Sequence, residues 1–497
     1  MTTPETQRHL LSKSTFMMGL QCPKRLWLYR NRPDLRPEIS PSQQMVFQRG
    51  SDVGKLAQQL FPGGKDATPI DFYSYPIAIR QTFEWINEGE KIIYEAAFQY
   101  NRVMAALDIL VNKDGNWYAY EVKSSTEVKE QYITDVALQY YVITNAGLPV
   151  HDISIIHLNK EYVREGEINI QELFTIESIH QEVLDKQAEI KTWIIENKKV
   201  MELKEEPIKD IGPHCSDPYE CEFQCSCWAH IPDVSVFNLT RLNSEKKFDL
   251  YNNGVIELHQ LPKGYSLSTS QQLQVKAHLG NYTHIEAENI QEWLQQLQYP
   301  LYFMDFETFM PGVPLYNGSS PYQQIPFQFS VHVQKSENAD PLHFAFLGNP
   351  ETDPRDEFIR QLIEATKGDG SILVYNKAFE CTRLRELQQL FPLYTFAIDS
   401  ILDRILDLME PFQKKWYYSS EMNGSYSIKL VLPALVPEMS YKGMEIGEGG
   451  TAMAAFEGLL NIKDEEEKHK VRNALLEYCK LDTLAMVKIL EKLKIRK

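Results

Sequence analysis

The first half of the chain contains an aspartate followed, one apolar run later, by a Glu-x-Lys pattern. Asp108 ends the run VMAALD, and Glu121 and Lys123 lie in the next run, WYAYEVK. Because side chains alternate along a β-strand, Glu121 and Lys123 are expected on one face, where they can meet Asp108 on the neighbouring strand. Two carboxylates can bind Mg²⁺, and an adjacent ammonium can position an attacking water in phosphodiester hydrolysis. By itself, the pattern favours an exposed cross-strand ion pair, because a carboxylate followed two residues later by a lysine is common on strands.

A second acidic group is spread over the last 200 residues. Asp305 and Glu307 are two apart in the apolar run LYFMDFETF, so a strand would place both on the same face. Tyr478 and Asp482 are four apart in YCKLD, which puts them on one face of a helix. Glu380 lies between these motifs, at the expected start of a helix in NKAFE. A phenol beside a carboxylate can orient a metal-bound water.

Four of the seven cysteines are crowded between Cys215 and Cys227, and Cys22 lies far upstream. This distribution favours a metal site over a disulfide scaffold. The spacing is too irregular for the paired hooks of a zinc ribbon, although four thiolates can still bind one tetrahedral zinc. Cys381 and Cys479 lie in apolar helical settings and are expected to be buried, inert thiols.

The elements that must position these residues can be read from hydrophobic periodicity. Residues 11–29 are predicted to form one helix, capped by Ser12 and carrying Cys22. Three strands are predicted between residues 91 and 123, followed by a helix that ends near Gly147 and a further strand. Residues 170–210 read as one long charged helix. The pattern predicts a mixed α/β fold.

The chain is expected to divide into three segments. Residues 1–231 form a first α/β domain, 232–299 a helical linker subdomain, and 300–497 a second α/β domain that ends in a long helix. A length of 497 residues is consistent with about three globular units.

Composition and charge narrow the class of protein. With 43% hydrophobic and 24% charged residues, broad disorder is excluded. No apolar run approaches the length of a membrane span and the N-terminus has no apolar signal core, so we expect a soluble, cytoplasmic protein. The net charge of −17 argues against a wholly basic nucleic-acid surface, so any nucleic-acid binding must use local patches.

The first acidic pattern resembles the PD-(D/E)XK nuclease superfamily, and specifically its RecB-like branch. LDIL supplies the aspartate, YEVKSS the (D/E)XK element, and Gln139 the downstream glutamine of that branch. Glu95 matches an upstream acidic position. The resemblance implies a restriction-endonuclease-like fold, metal binding by Glu95, Asp108 and Glu121, and a catalytic role for Asp108, Glu121 and Lys123.

The cysteines resemble the split ligand pattern of RecB-like nucleases that carry a 4Fe-4S cluster. One cysteine precedes Pro-Lys-Arg near the N-terminus and three others close the domain. The resemblance implies that Cys22, Cys215, Cys221 and Cys227 are the cluster ligands, with Cys225 as a substitute.

The second acidic group resembles the DnaQ-like 3′→5′ exonucleases of the DEDD class, which have a ribonuclease-H-like fold. DFET matches motif I, NKAFE motif II and YCKLD motif III in its tyrosine form. The resemblance implies a site that binds two divalent ions. It assigns four acidic residues and one tyrosine to this site: Asp305, Glu307, Glu380, Asp482 and Tyr478. Lys429 resembles a lysine that recurs in the class, but it is expected to be a surface residue.

The whole chain resembles an uncharacterised bacterial family that combines these parts. This whole-chain resemblance names no substrate, so the chemistry is argued from the two sites. From them we expect a Mg²⁺- or Mn²⁺-dependent DNA nuclease with two active sites, acting on single strands or 3′ ends, in DNA repair or in defence against foreign DNA. Two alternatives remain open. One is a non-catalytic nucleic-acid or protein-binding scaffold with a decayed nuclease lobe, and the other is an RNA-directed exonuclease.

Overall fold

The computed structural model of the protein describes residues 9–495. The chain forms two compact units. Unit 1 comprises the chain up to His230 together with Pro311–Gln323, and unit 2 comprises Ile231–Met310 and the chain from Gln324 onward. Residues 232–299, which the sequence predicts to be a linker, therefore lie in unit 2. Both units are mixed α/β structures.

Unit 1 contains nine helices and seven strands within the described residues. The strands are β1 (Leu11–Ser12), β2 (Lys65–Asp66), β3 (Ile92–Tyr100), β4 (Val103–Lys113), β5 (Asn116–Lys123), β6 (Val150–Leu158) and β7 (Phe174–Ser178). The helices are α1 (Lys13–Gln21), α2 (Pro23–Asn31), α3 (Pro41–Ala57), α4 (Tyr75–Glu88), α5 (Glu130–Asn145), α6 (Ile170–Leu173), α7 (His180–Asp185), α8 (Gln187–Glu202) and α9 (Gln224–Cys227).

The seven strands of unit 1 form one mixed sheet. Its order is β2-β3-β4-β5-β6-β7, and β1 pairs in parallel with the start of β4. Strands β3, β4 and β5 form an antiparallel meander, and β6 pairs in parallel with β5 after the crossover through α5. The strands predicted between residues 91 and 123, the helix that follows them and the next strand are confirmed.

The meander has apolar side chains on both faces. Ile93 and Leu110 belong to a core cluster that includes residues of α4 and α5, whereas their neighbours Tyr94 and Ile109 belong to a second cluster that includes residues of α3. Because side chains alternate along a strand, each strand contributes to both cores. Polar residues in the middle of these strands are therefore buried and need partners.

Two sequence predictions for unit 1 are wrong. The helix predicted over residues 11–29 is broken at Cys22, which adopts an extended backbone (φ −161°, ψ 122°) between α1 and α2. The residue before a proline is disfavoured in the helical region, and Pro23 is at the first position of α2. The charged helix predicted over 170–210 is interrupted by β7, whose segment FTIES pairs with β6. Its β-branched and aromatic residues favour a strand.

Unit 2 contains ten helices and seven strands within the described residues. The strands are β8 (His284–Ile285), β9 (Leu301–Phe309), β10 (Ile325–Gln334), β11 (Leu342–Leu347), β12 (Ile372–Val374), β13 (Ile405–Asp407) and β14 (Tyr417–Tyr418). The helices are α10 (Ser244–Asn252), α11 (Thr269–Gly280), α12 (Ala287–Leu294), α13 (Arg355–Ala365), α14 (Lys377–Leu390), α15 (Thr395–Arg404), α16 (Glu410–Gln413), α17 (Ile428–Leu435), α18 (Gly449–Gly458) and α19 (Glu465–Ile495).

The main sheet of unit 2 has five strands in the order β11-β10-β9-β12-β13. Strand β10 is antiparallel to β9 and β11, and β12 is parallel to β9 and β13. The long helix α19 packs against β9 and β10. The strand predicted in LYFMDFETF and the long C-terminal helix are both confirmed, and their contact positions the second acidic group.

Candidate active sites

Three carboxylates lie side by side on the central strands of unit 1. Tyr94 pairs with Ile109 and Ala96 with Leu107, so Glu95 on β3 lies opposite Asp108 on β4. The β4–β5 register, which pairs Ile109 with Tyr120, places Glu121 next to Asp108. Glu95 has a positive φ of 53°, an uncommon backbone conformation for a residue other than glycine. The structure thus brings Glu95, Asp108 and Glu121 into one row.

Glu121 is the most densely contacted residue of this row. Its Oε1 accepts hydrogen bonds from Lys13 Nζ at 2.6 Å and from Lys123 Nζ at 2.7 Å. Its Oε2 accepts one from Gln139 Nε2 at 2.8 Å, and Gln139 is fully buried on α5. The predicted residues Glu121, Lys123 and Gln139 are therefore in direct contact. Asp108 accepts a hydrogen bond from the backbone N–H of Val122.

Sequence reasoning missed two residues of this site. Asp135 is buried on α5 and forms ion pairs with Lys123 at 2.5 Å and with Lys13 at 3.6 Å. Its spacing of four residues from Gln139 places both on one helical face, a signal that was available in the sequence. Lys13, at the start of α1, had no comparable signal, because its partners are more than 100 positions away.

The pKa values of the carboxyl groups in unit 1's site are shifted in opposite directions. Burial by itself would raise the Glu121 pKa, but the charges of Lys123 and Lys13 lower it to about 2. Burial and the Glu121 charge raise the pKa of Glu95 to about 7. Burial and the same charge also raise the Asp108 pKa well above its usual range. Burial and the Glu121 charge thus disfavour the charged forms of Glu95 and Asp108, whereas the two lysines favour that of Glu121.

Four cysteines line one cavity in unit 1. They are the four that the resemblance assigns, Cys22, Cys215, Cys221 and Cys227. Cys225 is exposed and does not line the cavity. The break between α1 and α2 places Cys22 here, and Arg25 of α2 forms an ion pair with Glu222 of the cysteine loop at 2.7 Å.

The sulfur atoms are spread more widely than in a compact zinc site. Among residues 9–495, no three of these thiols have their sulfur atoms within 4.8 Å of one another. Zn–S bonds of about 2.3 Å in a tetrahedron require sulfur separations of roughly 3.8 Å. The thiols as folded are therefore not arranged as a tetrahedral zinc site.

Unit 2 has a tight acidic cluster where β9 meets α19. Asp305, Glu307 and Asp482 bring their carboxylate oxygens within 4.8 Å of one another, and this is the only such group found among the described residues. Asp305 and Glu307 share one face of β9. The alternate residues Met304 and Phe306 face the apolar core on the other side. The predicted convergence of motif I and motif III residues is thus present in the structure.

Glu380 is the fourth acidic residue of this region. It lies in the first turn of α14 and is 2% exposed, and its charge acts on both Asp305 and Glu307. Its Oε2 has no hydrogen-bond partner among the described residues. Asp407 lies nearby but accepts hydrogen bonds from three backbone N–H groups, so it organises the loop before α14.

Two tyrosines flank Asp482, and one of them was not predicted. Tyr478 precedes Asp482 by one turn of α19 and is 4% exposed. Tyr441 donates a hydrogen bond from its hydroxyl to Asp482 Oδ1 at 2.6 Å. No spacing pattern in the sequence connects Tyr441 with the motifs. Lys429, expected at the surface, is only partly exposed, and its Nζ lies 5.8 Å from the centre of the Tyr441 ring.

Burial and mutual repulsion disfavour the ionised forms of the carboxyl groups in the acidic cluster of unit 2. Burial and the Asp482 charge raise the pKa of Glu307 to about 8 and that of Asp305 well above its usual range. Burial raises the Glu380 pKa to about 8. Burial also raises the Asp482 pKa to about 6, less than for its neighbours because of the Tyr441 hydrogen bond and the Lys429 charge.

Cys479 and Cys381 are buried, as predicted.

Comparison with known proteins gives one family model and several relatives. Residues 302–427 match a domain of unknown function, DUF2779, a segment that contains motifs I and II of unit 2. An uncharacterized protein of Mycoplasma genitalium, MG366, is 30% identical over 216 residues, which cover 40% of this chain and 32% of that protein. An MG366 homolog of Mycoplasma pneumoniae is 26% identical over 213 residues, with coverage of 39% and 32%.

A third relative is the uncharacterized protein UU173 of Ureaplasma parvum, 25% identical over 213 residues that cover 38% of this chain and 30% of that protein. The chain thus spans about a third of the length of the curated relatives it matches. Within the described residues, no helix has the length and apolar character needed to cross a lipid bilayer.

Proposed function

We propose that the protein is a metal-dependent nuclease that hydrolyses phosphodiester bonds of DNA at two active sites. Unit 1 would be a RecB-like PD-(D/E)XK nuclease and unit 2 a ribonuclease-H-like 3′→5′ exonuclease of the DEDD class. The observation that carries the proposal is the convergence of Asp305, Glu307 and Asp482 within 4.8 Å. Three largely buried carboxylates at this separation repel one another when they are ionised, and a cation between them offsets that repulsion.

The donor set of unit 2 fits two divalent ions. Asp305, Glu307, Glu380 and Asp482 carry a formal charge of −4 when ionised, and all four are mostly buried. Glu380 Oε2, which has no hydrogen-bond partner among the described residues, is available to a cation. Bound Mg²⁺ or Mn²⁺ would activate water and stabilise the leaving oxygen. Tyr441 holds Asp482 in place, and Tyr478 is positioned to orient a water beside it.

The charge of unit 1's site matches a single divalent ion, although no three of its carboxylate groups, all within the described residues, have oxygens within 4.8 Å of one another. Glu95, Asp108, Glu121 and Asp135 would carry −4 when ionised, and Lys13 and Lys123 carry +2. The remaining −2 matches one Mg²⁺ or Mn²⁺. Lys123, held by Glu121 and Asp135, is placed to orient an attacking water and to offset negative charge at the scissile phosphate.

The cysteine cavity supports the proposal that unit 1 carries a 4Fe-4S cluster. Its four thiols come from two regions separated by 193 residues, so a cluster would hold α1 and α2 against the C-terminal part of the unit. Thiolates are the usual ligands of such clusters. We expect anaerobically purified protein to contain iron and acid-labile sulfide, and Cys22→Ser to lose both whereas Cys225→Ser keeps them. Stoichiometric zinc in place of iron would contradict this assignment.

Two single substitutions test the nuclease proposal. Asp305→Asn should reduce release of nucleotides from 3′-labelled DNA by about 100-fold or more, and Lys123→Met should do the same for cleavage by unit 1. Asp399→Asn, on the exposed face of α15, and Lys186→Met, whose partner is Glu130, are the matched controls. Single-stranded DNA and RNA with 5′ or 3′ labels are assayed in Mn²⁺.

Comparing DNA with RNA as the substrate distinguishes the DNA nuclease from the RNA-directed exonuclease and the binding scaffold. Cleavage of RNA but not DNA would replace the DNA proposal with an RNA-directed exonuclease. A wild type as inactive as both variants would replace it with a binding scaffold.

A second readout does not need activity. Mn²⁺ should raise the melting temperature of the wild type, and Asp305→Asn should raise the metal-free melting temperature but abolish much of the Mn²⁺ effect.

A further inference from the structure

We propose that Lys13 is a substrate-binding residue of unit 1, whose ammonium binds a non-bridging oxygen of the scissile phosphate. The proposal rests on the proposed nuclease function of this unit and adds a residue that lies outside the Asp and Glu-x-Lys pattern. Lys13 would be the second cation of the site, beside Lys123.

The position of Lys13 is set by the backbone on its N-terminal side. Leu11 and Ser12 form β1, which pairs with Val103 and Met104 at the start of β4. Ser12 then caps α1 through a reciprocal capping box with Thr15. Lys13, the first residue of α1, is therefore tied to the strand that carries Asp108. A side chain on such an anchored backbone loses little further freedom when it binds a ligand.

The two lysines differ in how many of their donors are already used. Lys123 forms hydrogen bonds with both Glu121 and Asp135, and its side chain is 16% exposed. Lys13 forms one hydrogen bond, to Glu121 at 2.6 Å, and lies 3.6 Å from Asp135, with its side chain 29% exposed. Since an ammonium has three donors, Lys13 has more capacity left for a solvent-side oxygen.

The acidic residues around Lys13 make a positive charge at this position useful for binding an anionic phosphate. An anionic phosphate that approaches Glu95, Asp108, Glu121 and Asp135 is repelled by up to four carboxylates. One divalent ion and Lys123 do not fully offset this charge, and Lys13 supplies the remaining positive charge at the more exposed side. The chain as a whole, with a net charge of −17, makes a local cation more important for binding DNA.

The salt dependence of DNA binding tests this contact without relying on hydrolysis. Binding of a fluorescent single-stranded oligonucleotide is measured at several NaCl concentrations, with Ca²⁺ in place of Mn²⁺ to prevent cleavage. Lys13→Met should reduce the slope of log K against log salt by about 0.7, the value of one phosphate contact on a single strand. Lys186→Met removes an ion-paired lysine of unit 1 and should keep the wild-type slope. Lys13→Arg should also keep it.

A second measurement uses the wild type alone, in case Lys13→Met does not fold. Acetylation of surface lysines is followed by mass spectrometry with and without the oligonucleotide. The oligonucleotide should slow the acetylation of Lys13 several-fold and leave that of Lys186 unchanged.

The outcomes separate the two proposals. An unchanged salt slope in Lys13→Met, or equal acetylation of Lys13 with and without DNA, would overturn the role of Lys13 and leave it as a charge-balancing residue. A wild type that binds DNA through Lys13 but does not cleave it would support the contact and contradict the nuclease function. A wild type that does not bind DNA at all would overturn both.

Discussion

At the scale of single residues, the two sites hold their carboxylates in different ways. Glu121 in unit 1 is surrounded by donors from Lys13, Lys123 and Gln139, so its charge is already balanced. Glu380 in unit 2 has an oxygen without a partner. Glu121 is thus stabilised in its charged form by cations of the protein itself, whereas burial raises the pKa of Glu380 to about 8.

Tyr441 provides a test of how the second site is supported. Tyr441→Phe removes the hydrogen bond to Asp482 Oδ1 but keeps the ring, so Asp482 loses the group that orients it. Partners of metal ligands typically contribute 10- to 100-fold to metal affinity or activity, so we expect a loss of about 10-fold or more in Mn²⁺ affinity by calorimetry.

Tyr302→Phe is the control, because Tyr302 is also buried in unit 2 and donates its hydroxyl to a backbone carbonyl, that of Lys367. Equal Mn²⁺ affinities for the Tyr441 variant and the wild type would show that Asp482 does not need this support.

At the scale of elements, α1 is the helix whose position matters most in unit 1. It begins at Lys13 and ends before Cys22, so one nine-residue helix connects the acidic site with the cysteine cavity. Gly19 lets α1 approach Asn197 of α8 closely, and Asn197 is buried and donates to the Phe16 carbonyl. A Cβ at Gly19 would lie 2.3 Å from Asn197 Oδ1.

Gly19→Ala should therefore lower the free energy of unfolding by about 1–3 kcal/mol, because the buried amide must move and lose its hydrogen bond. Gly54→Ala in α3 is the matched control. A Cβ there meets no atom within 4 Å, so the higher helix propensity of alanine should stabilise the protein by up to about 1 kcal/mol. Urea titrations measure both, and equal effects of the two substitutions would refute the close packing of α1.

The contact between β10, β11 and α19 predicts a dependence of stability on pH. His332 on β10 is hydrogen-bonded to Thr483 of α19 at 2.7 Å, and its ring lies 4.6 Å from that of His343 on β11. Burial, with the charges of His343 and Lys480, lowers the His332 pKa to about 4. An unfolded histidine has a pKa of about 6.5.

Between these two values the unfolded chain binds a proton that folded His332 does not, so stability should fall as the pH decreases from about 6.5 to about 4. Above about 6.5 both states are neutral at this residue and its contribution is constant. The urea midpoint should decrease between pH 7 and pH 5 by less in His332→Asn than in the wild type. An equal decrease in both proteins would show that His332 does not contribute.

At the scale of the whole molecule, the chain path differs from a simple succession of domains. Residues 311–323, between β9 and β10, belong to unit 1. There Arg164 donates hydrogen bonds to the carbonyls of Pro314 and Leu315, and Tyr322 donates to the carbonyl of Ser124, the residue after Lys123. Unit 1 is therefore built from two separate stretches of the chain.

Arg164→Ala should loosen this segment without unfolding the unit, because only the contacts to the inserted stretch and to Gly166 are lost. We expect faster amide hydrogen exchange within residues 311–323 and unchanged exchange in β3 to β5. Arg32→Ala, which removes an exposed ion pair with Asp34, should leave residues 311–323 protected. Unchanged exchange in the Arg164 variant would show that other contacts hold the segment.

Local patterns in the amino-acid sequence specify the strands of the meander, the strand with Asp305 and Glu307, the long helix α19 and the face shared by Tyr478 and Asp482. These features depend on period-two and period-3.6 patterns, which are local properties of the chain. The break at Cys22 also has a local cause, since Pro23 disfavours a helical residue before it, although the apolar pattern predicted an unbroken helix. The sequence further singled out the four cysteines that line one cavity.

Tertiary packing was needed to bring Lys13 to Glu121 and Asp135, Tyr441 to Asp482, and residues 311–323 into unit 1. Each of these contacts joins residues that are remote in sequence, or elements whose packing no single segment specifies. Their positions follow from which helices pack on which face of a sheet, and that choice is a balance of many buried contacts distributed over the whole unit.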